Sequence, residues 1–100
     1  MWFVPNLGTF YQVPNIGTMF KSLHSKEYSL LVGWLKEQRL GQKLTMRDLG
    51  AKLGVPHSLI GKVEQGERRL DVIEFLQYCN ALKVDPIEGM EKIMESLVLR

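Results

Sequence analysis

At 100 residues the chain is long enough for one modest hydrophobic core and too short for two. Its 45% hydrophobic and 24% charged residues suit an ordinary globular protein. With no apolar run near the ~18 residues that span a bilayer and no export signal at the N-terminus, a soluble cytoplasmic protein is expected. The single cysteine, Cys79, excludes an internal disulfide, and without a Cys/His cluster of ligand spacing no metal site is expected.

The chain opens on an internal repeat of nine, VPNLGTFYQ followed by VPNIGTMFK. Each copy carries Pro and Gly, which disfavour a helix, beside Val, Thr and aromatics, which favour extended chain. Residues 1–24 therefore read as an N-terminal arm, either two strands paired as a small ribbon or an extended segment laid along a partner. An extension without fixed structure, and a true start at Met19, are the alternatives. Two copies are too few for a solenoid.

Beyond the arm the pattern is helical, and residues 25–100 read as one all-α domain. Five helices are predicted over 26–40, 46–53, 56–65, 72–82 and 86–97. The first turns Leu31 and Leu35 inward. Thr45 with Asp48, Asp71 with Glu74, and Asp85 with Glu88 each place a capping oxygen at a helix start and an acid three residues on. Pro86 is the favoured first-turn proline, and Gly66 is placed to end the third helix in a left-handed conformation. Cys79 falls on the apolar side of the fourth helix, which marks it as an inert core residue rather than a redox sensor.

Within this series the stretch MRDLGAKLGVPHSLIGKVEQ, residues 46–65, is the most telling. Leu49, Leu53, Val55, Ile60 and Val63 are its apolar set, Gly50 is the small residue where two helices would cross, and Gly54 sits at the turn. This is a helix-turn-helix pattern, whose second helix is built to enter a DNA major groove. Charge agrees with it. Residues 36–69 carry eight Lys/Arg against four acids, a local charge of +4, whereas residues 70–100 carry three against six, or −3. Positive charge thus concentrates where phosphates would be neutralised, although a merely lopsided solvated surface gives the same count.

From Tyr28 to Pro86 the stretches LKEQRLGQKLTMRDLGAKLGV, IGKVEQGERRLDVIEF and ALKVDP closely resemble the Cro and cI repressor-type helix-turn-helix family, also called Xre-like. The resemblance implies a five-helix lambda-repressor-like DNA-binding domain, here with an extended N-terminal arm. It places His57, Ser58 and Lys62 where family members face bases; His57 can donate or accept at base edges, Ser58 can contact either a base or a phosphate, and Lys62 can donate to guanine. The alternative for His57 and Lys62 is backbone contact without readout. Phosphate contacts are implied at Thr45, Met46 and Arg47 at the start of the second helix, at Gln65 and Gly66, and at Arg68 or Arg69, with Lys43 assisting. Both arginines could pair with Glu67 or Asp71 instead. The resemblance also implies a structural salt bridge between Arg39 and Glu64 that holds the DNA-reading unit against the first helix. Two positions depart from the family pattern: Met46 stands where a glutamine commonly opens the second helix, and Gly61 replaces a Ser-like residue within the third.

Ile87, Met90, Ile93, Met94 and Leu97 form an apolar stripe on the otherwise acidic last helix. Part must cover the domain's own core, and the rest is a candidate dimer interface, joined by Tyr78; internal packing alone is the alternative. The function expected is a sequence-specific, double-stranded DNA-binding transcriptional regulator, a homodimer on a palindromic operator, with no cofactor. An antitoxin that binds a toxin protein and autoregulates its operon, or a restriction-modification controller, are the alternatives, distinguished by a co-purifying partner or by neighbouring genes. Enzyme activity is not expected, because His24, His57 and Cys79 form no recognisable nucleophile and base.

Overall fold

The computed structural model describes residues 26–98, which form five helices and no strand: α1 (Lys26–Gly41), α2 (Met46–Leu53), α3 (His57–Glu64), α4 (Val72–Leu82) and α5 (Pro86–Val98). The arm, its nine-residue repeat, Met19 and His24 lie outside the described residues. Among those described, no helix is long and apolar enough to cross a membrane.

In α1 the buried residues Tyr28, Leu31, Val32, Leu35 and Arg39 recur at helical spacing, so one face of the helix backs the core along its length. Trp34 flanks that face and lies on α5 at Gly89, where an added Cβ would stand 2.7 Å from the indole ring. Only a residue without a side chain lets the ring lie this close to the α5 backbone. The core is completed by Leu49 of α2, Ile60 and Val63 of α3, and Phe75, Tyr78, Cys79 and Leu82 of α4, all of them buried.

Local signals set the ends. Thr45 Oγ1 accepts from the Asp48 N–H at 3.0 Å while the Thr45 N–H donates to Asp48 Oδ2 at 2.8 Å, a reciprocal cap that starts α2. Asp71 and Glu74 repeat it at the start of α4. At α5 the Asp85 carboxylate accepts from the Ile87 N–H instead, two residues on. The predicted third helix began at Pro56, but Pro56 is extended (ψ 148°) and caps α3 from outside, its carbonyl accepting from the Leu59 N–H. Gly66 follows with φ 79°, left-handed as expected. Gln42 fastens the α1 end to α4, its side-chain amide donating to the Leu82 carbonyl.

Cys79 is fully buried, and burial pushes its thiol up to about 11, so it carries little thiolate near neutral pH. Tyr78 corrects an expectation. At 2% exposed it is part of this chain's own core and presents no surface to a second copy. Burial also pushes its phenol well above the usual range, and its hydroxyl has no hydrogen-bond partner among the described residues.

Candidate nucleic-acid interface

The unit that would meet DNA is α2, the turn and α3. Gly54, at φ 73°, ends α2, and the Val55 N–H returns to the Gly50 carbonyl at 2.9 Å, which reverses the chain within three residues. Gly50 lies where the helices meet. A Cβ there would stand 2.7 Å from the Val55 carbonyl oxygen and 3.3 Å from the His57 nitrogen. Ile60 and Val63 then anchor α3 from inside, each 1% exposed.

With that side anchored, His57, Ser58 and Lys62 are all exposed, Ser58 and Lys62 one turn apart on one face. Gly61 adds no side chain between them. Met46 lies against it, because a Cβ on Gly61 would be 3.6 Å from Met46 Sδ. The Met46 side chain is half-buried and packs on the core, so what this residue can offer an anion is its backbone amide at the α2 N-terminus. Thr45 and Arg47 beside it are exposed, and Lys43, also exposed, holds a left-handed backbone (φ 59°) in the turn before α2. The Thr45 amide holds the Asp48 carboxyl below its ordinary range, keeping this cap ionised.

Behind this surface Arg39 and Glu64 form the implied salt bridge. Arg39 Nε donates to Glu64 Oε2 at 2.6 Å and Nη2 to Oε1 at 2.9 Å, with side chains 6% and 2% exposed. A third donation, from Nη1 to the Leu44 carbonyl at 2.8 Å, fixes the turn into α2. One buried guanidinium therefore ties α1, the α2 entry and the α3 end together, and the hydrogen-bonded carboxylate raises its pKa further.

The loop from Gln65 to Asp71 resolves the arginine alternatives differently from expectation. Neither Glu67 nor Asp71 holds Arg68. It forms a two-pronged pair with Glu74, at 2.9 and 2.8 Å, and donates to the Arg69 carbonyl. Glu74 can take this part because it is already turned back to cap α4, and the arginine, then the Asp71 amide, hold its carboxyl down to about 2. Arg68 is thus paired with Glu74, although its side chain stays partly exposed. Arg69 and Gln65 remain exposed, and the Arg69 guanidinium lies 4.7 Å from the centre of the Tyr28 ring. Tyr28 was not singled out from the sequence, since it sits far from this loop in the chain.

On α5, Ile87 and Met90 are 55% and 39% exposed, whereas Ile93 packs on the core and Met94 and Leu97 are half-buried. The outward part of the stripe is thus its N-terminal half.

The family model described as Helix-turn-helix matches residues 35–88. Among solved structures, an XRE-family like protein from Pseudomonas syringae pv. tomato str. DC3000 is 37% identical, with a TM-score of 0.70 over 79% of this chain and 96% of that one. The restriction-modification controller protein C.Esp1396I shares the fold twice. A mutant of it is 22% identical with a TM-score of 0.64 over 74% and 94% of the two chains. Its tetramer in complex with its natural 35 base-pair operator is 21% identical with a TM-score of 0.65 over 75% and 99%. No curated protein gives a significant match. The matched segment spans the end of α1 to the start of α5, including the Gly turn, the Arg39–Glu64 brace and both capped helices, and the chain belongs to the helix-turn-helix family of Xre-like proteins.

Proposed function

We propose that this protein is a sequence-specific, double-stranded DNA-binding transcriptional regulator. One observation carries the reading: α3 is anchored from behind by Ile60, Val63 and a buried salt bridge, while His57, Ser58 and Lys62 stand exposed in front. A short rod held this way fits a major groove, where His57, Ser58 and Lys62 would read base edges. Lys43, Arg47 and Arg69, with the amides at the α2 start and at Gln65, would engage phosphates on either side. No cofactor is needed, because occupancy of an operator near a promoter is itself the regulatory event. One unit covers few base pairs, so two copies related by a twofold axis, joined through Ile87 and Met90, would read a palindrome with half-sites about 34 Å apart or a multiple of it.

Selection of bound sites from a random duplex pool tests this reading. A symmetric consensus is expected. With three free cations per copy and two copies, raising salt from 50 to 200 mM should weaken binding by roughly 10³-fold. A flat salt response, or a pool that yields no consensus, refutes it.

A further inference from the structure

The sequence carries a tyrosine at position 28 for which DNA binding as described above has no use, yet the structure wraps the loop before α4 around it. Tyr28 lies at the start of α1 and is 7% exposed. Its hydroxyl accepts from the Leu70 N–H at 2.9 Å and donates to the Arg68 carbonyl at 3.5 Å, so it fastens the loop backbone on both sides of Arg69. Its ring carries the Arg69 guanidinium at 4.7 Å. The same loop is gripped from the other end by the Arg68 pair with Glu74.

A long exposed arginine on a free loop samples many rotamers, and ordering it on a phosphate costs that freedom. Here the backbone on either side is fixed and one face of the guanidinium rests on an aromatic ring, which attracts a cation without consuming its N–H donors. The contact therefore leaves those donors for a phosphate. We propose that Tyr28 is a positioning residue for DNA binding, a clamp in α1 that sets the loop's place and presents Arg69 to a phosphate. This rests on the regulator reading and adds a residue from outside the helix-turn-helix to it.

The experiment uses the full chain and a 30-base-pair duplex of mixed sequence, and compares wild type, Tyr28→Phe, Arg69→Ala and the double variant across a salt series. Tyr28→Phe keeps the ring and the packing but loses the hydroxyl. Arg69→Ala should lower the slope of log affinity against log salt by about 1 per copy. Tyr28→Phe should weaken binding about 3- to 10-fold, and adding it to Arg69→Ala should cost nothing more, because both act through one contact. Losses that simply add overturn the clamp. Amide exchange gives a readout without DNA: in Tyr28→Phe the Leu70 amide should exchange at least about tenfold faster while those of Leu35 and Leu82 hold their rates. A rise shared by all three reads as general loosening and overturns it too. If wild type shows no salt-dependent binding the regulator reading fails with the proposal, whereas normal wild-type binding with additive variants sinks the proposal alone.

Discussion

Replacing Glu64 with alanine would strand the Arg39 guanidinium in the interior. Arg39 is 5% exposed and three of its donations are fixed, two of them to Glu64. After the substitution only the Leu44 carbonyl remains of these partners, and among the described residues no other carboxylate pairs with Arg39. Removing one partner of a buried pair costs about 3 to 5 kcal/mol, against roughly 0 to 1 kcal/mol for an exposed one. Urea denaturation followed by far-UV circular dichroism measures it: with a slope near 1.5 kcal/mol/M, the midpoint should fall by about 2 to 3 M. Small domains hold only about 5 to 15 kcal/mol in total, so a large part of the population would unfold at moderate denaturant. The double variant Arg39→Met with Glu64→Leu leaves no charge stranded and should recover much of the loss. A cost below about 1 kcal/mol for Glu64→Ala, or losses for the two single variants that merely add, would show that the pair behaves as a surface contact and that α3 is not braced as argued.

Gly50→Ala places a methyl 2.7 Å from the Val55 carbonyl, backbone that cannot swing aside; a loss of about 1 to 3 kcal/mol by thermal unfolding is expected, with weaker DNA binding as α2 and α3 are pushed apart. Gly61→Ala meets only Met46 Sδ at 3.6 Å, so it should stabilise the fold by up to about 1 kcal/mol through helix propensity; affinity for a selected operator, measured by fluorescence anisotropy, should drop if the bare backbone at this point approaches the DNA. The acid limb of stability should carry a contribution from Glu74. Its carboxyl is held at about 2 in the folded chain against an ordinary 4.5, so its contribution is present above 4.5 and is lost as pH falls from there through 2. Glu74→Gln should flatten that part of the stability profile, and an unchanged profile would argue against the Arg68 pairing.

Much of the site was legible because it depends on short-range rules. The ends of α2 and α4 follow from capping oxygens three residues from their acids, and the Gly54 and Gly66 turns from the left-handed backbone they permit. The exposure of His57, Ser58 and Lys62 follows from the spacing of Ile60 and Val63 within one short helix. Resemblance supplied the Arg39–Glu64 pair, which spacing does not identify.

What tertiary structure decided lies where one helix offers several equivalent faces or where partners are far apart in the chain. The fourth helix, VIEFLQYCNAL, is apolar on almost every side. Packing alone turns Phe75, Tyr78, Cys79 and Leu82 inward and leaves Val72 and Ile73 more than 60% exposed, which is why Tyr78 was misread as interface. Arg68 had two acids nearer in sequence, but Glu74 had been turned toward it by the cap it makes for α4. The hold of Tyr28 on Leu70 joins residues 42 positions apart, and the seat of Trp34 on Gly89 joins the first and last helices. Hydrogen bonds and periodicity within a few residues are written into the local sequence; which surfaces then meet is set by the shapes of all five helices together, and no local pattern contains that.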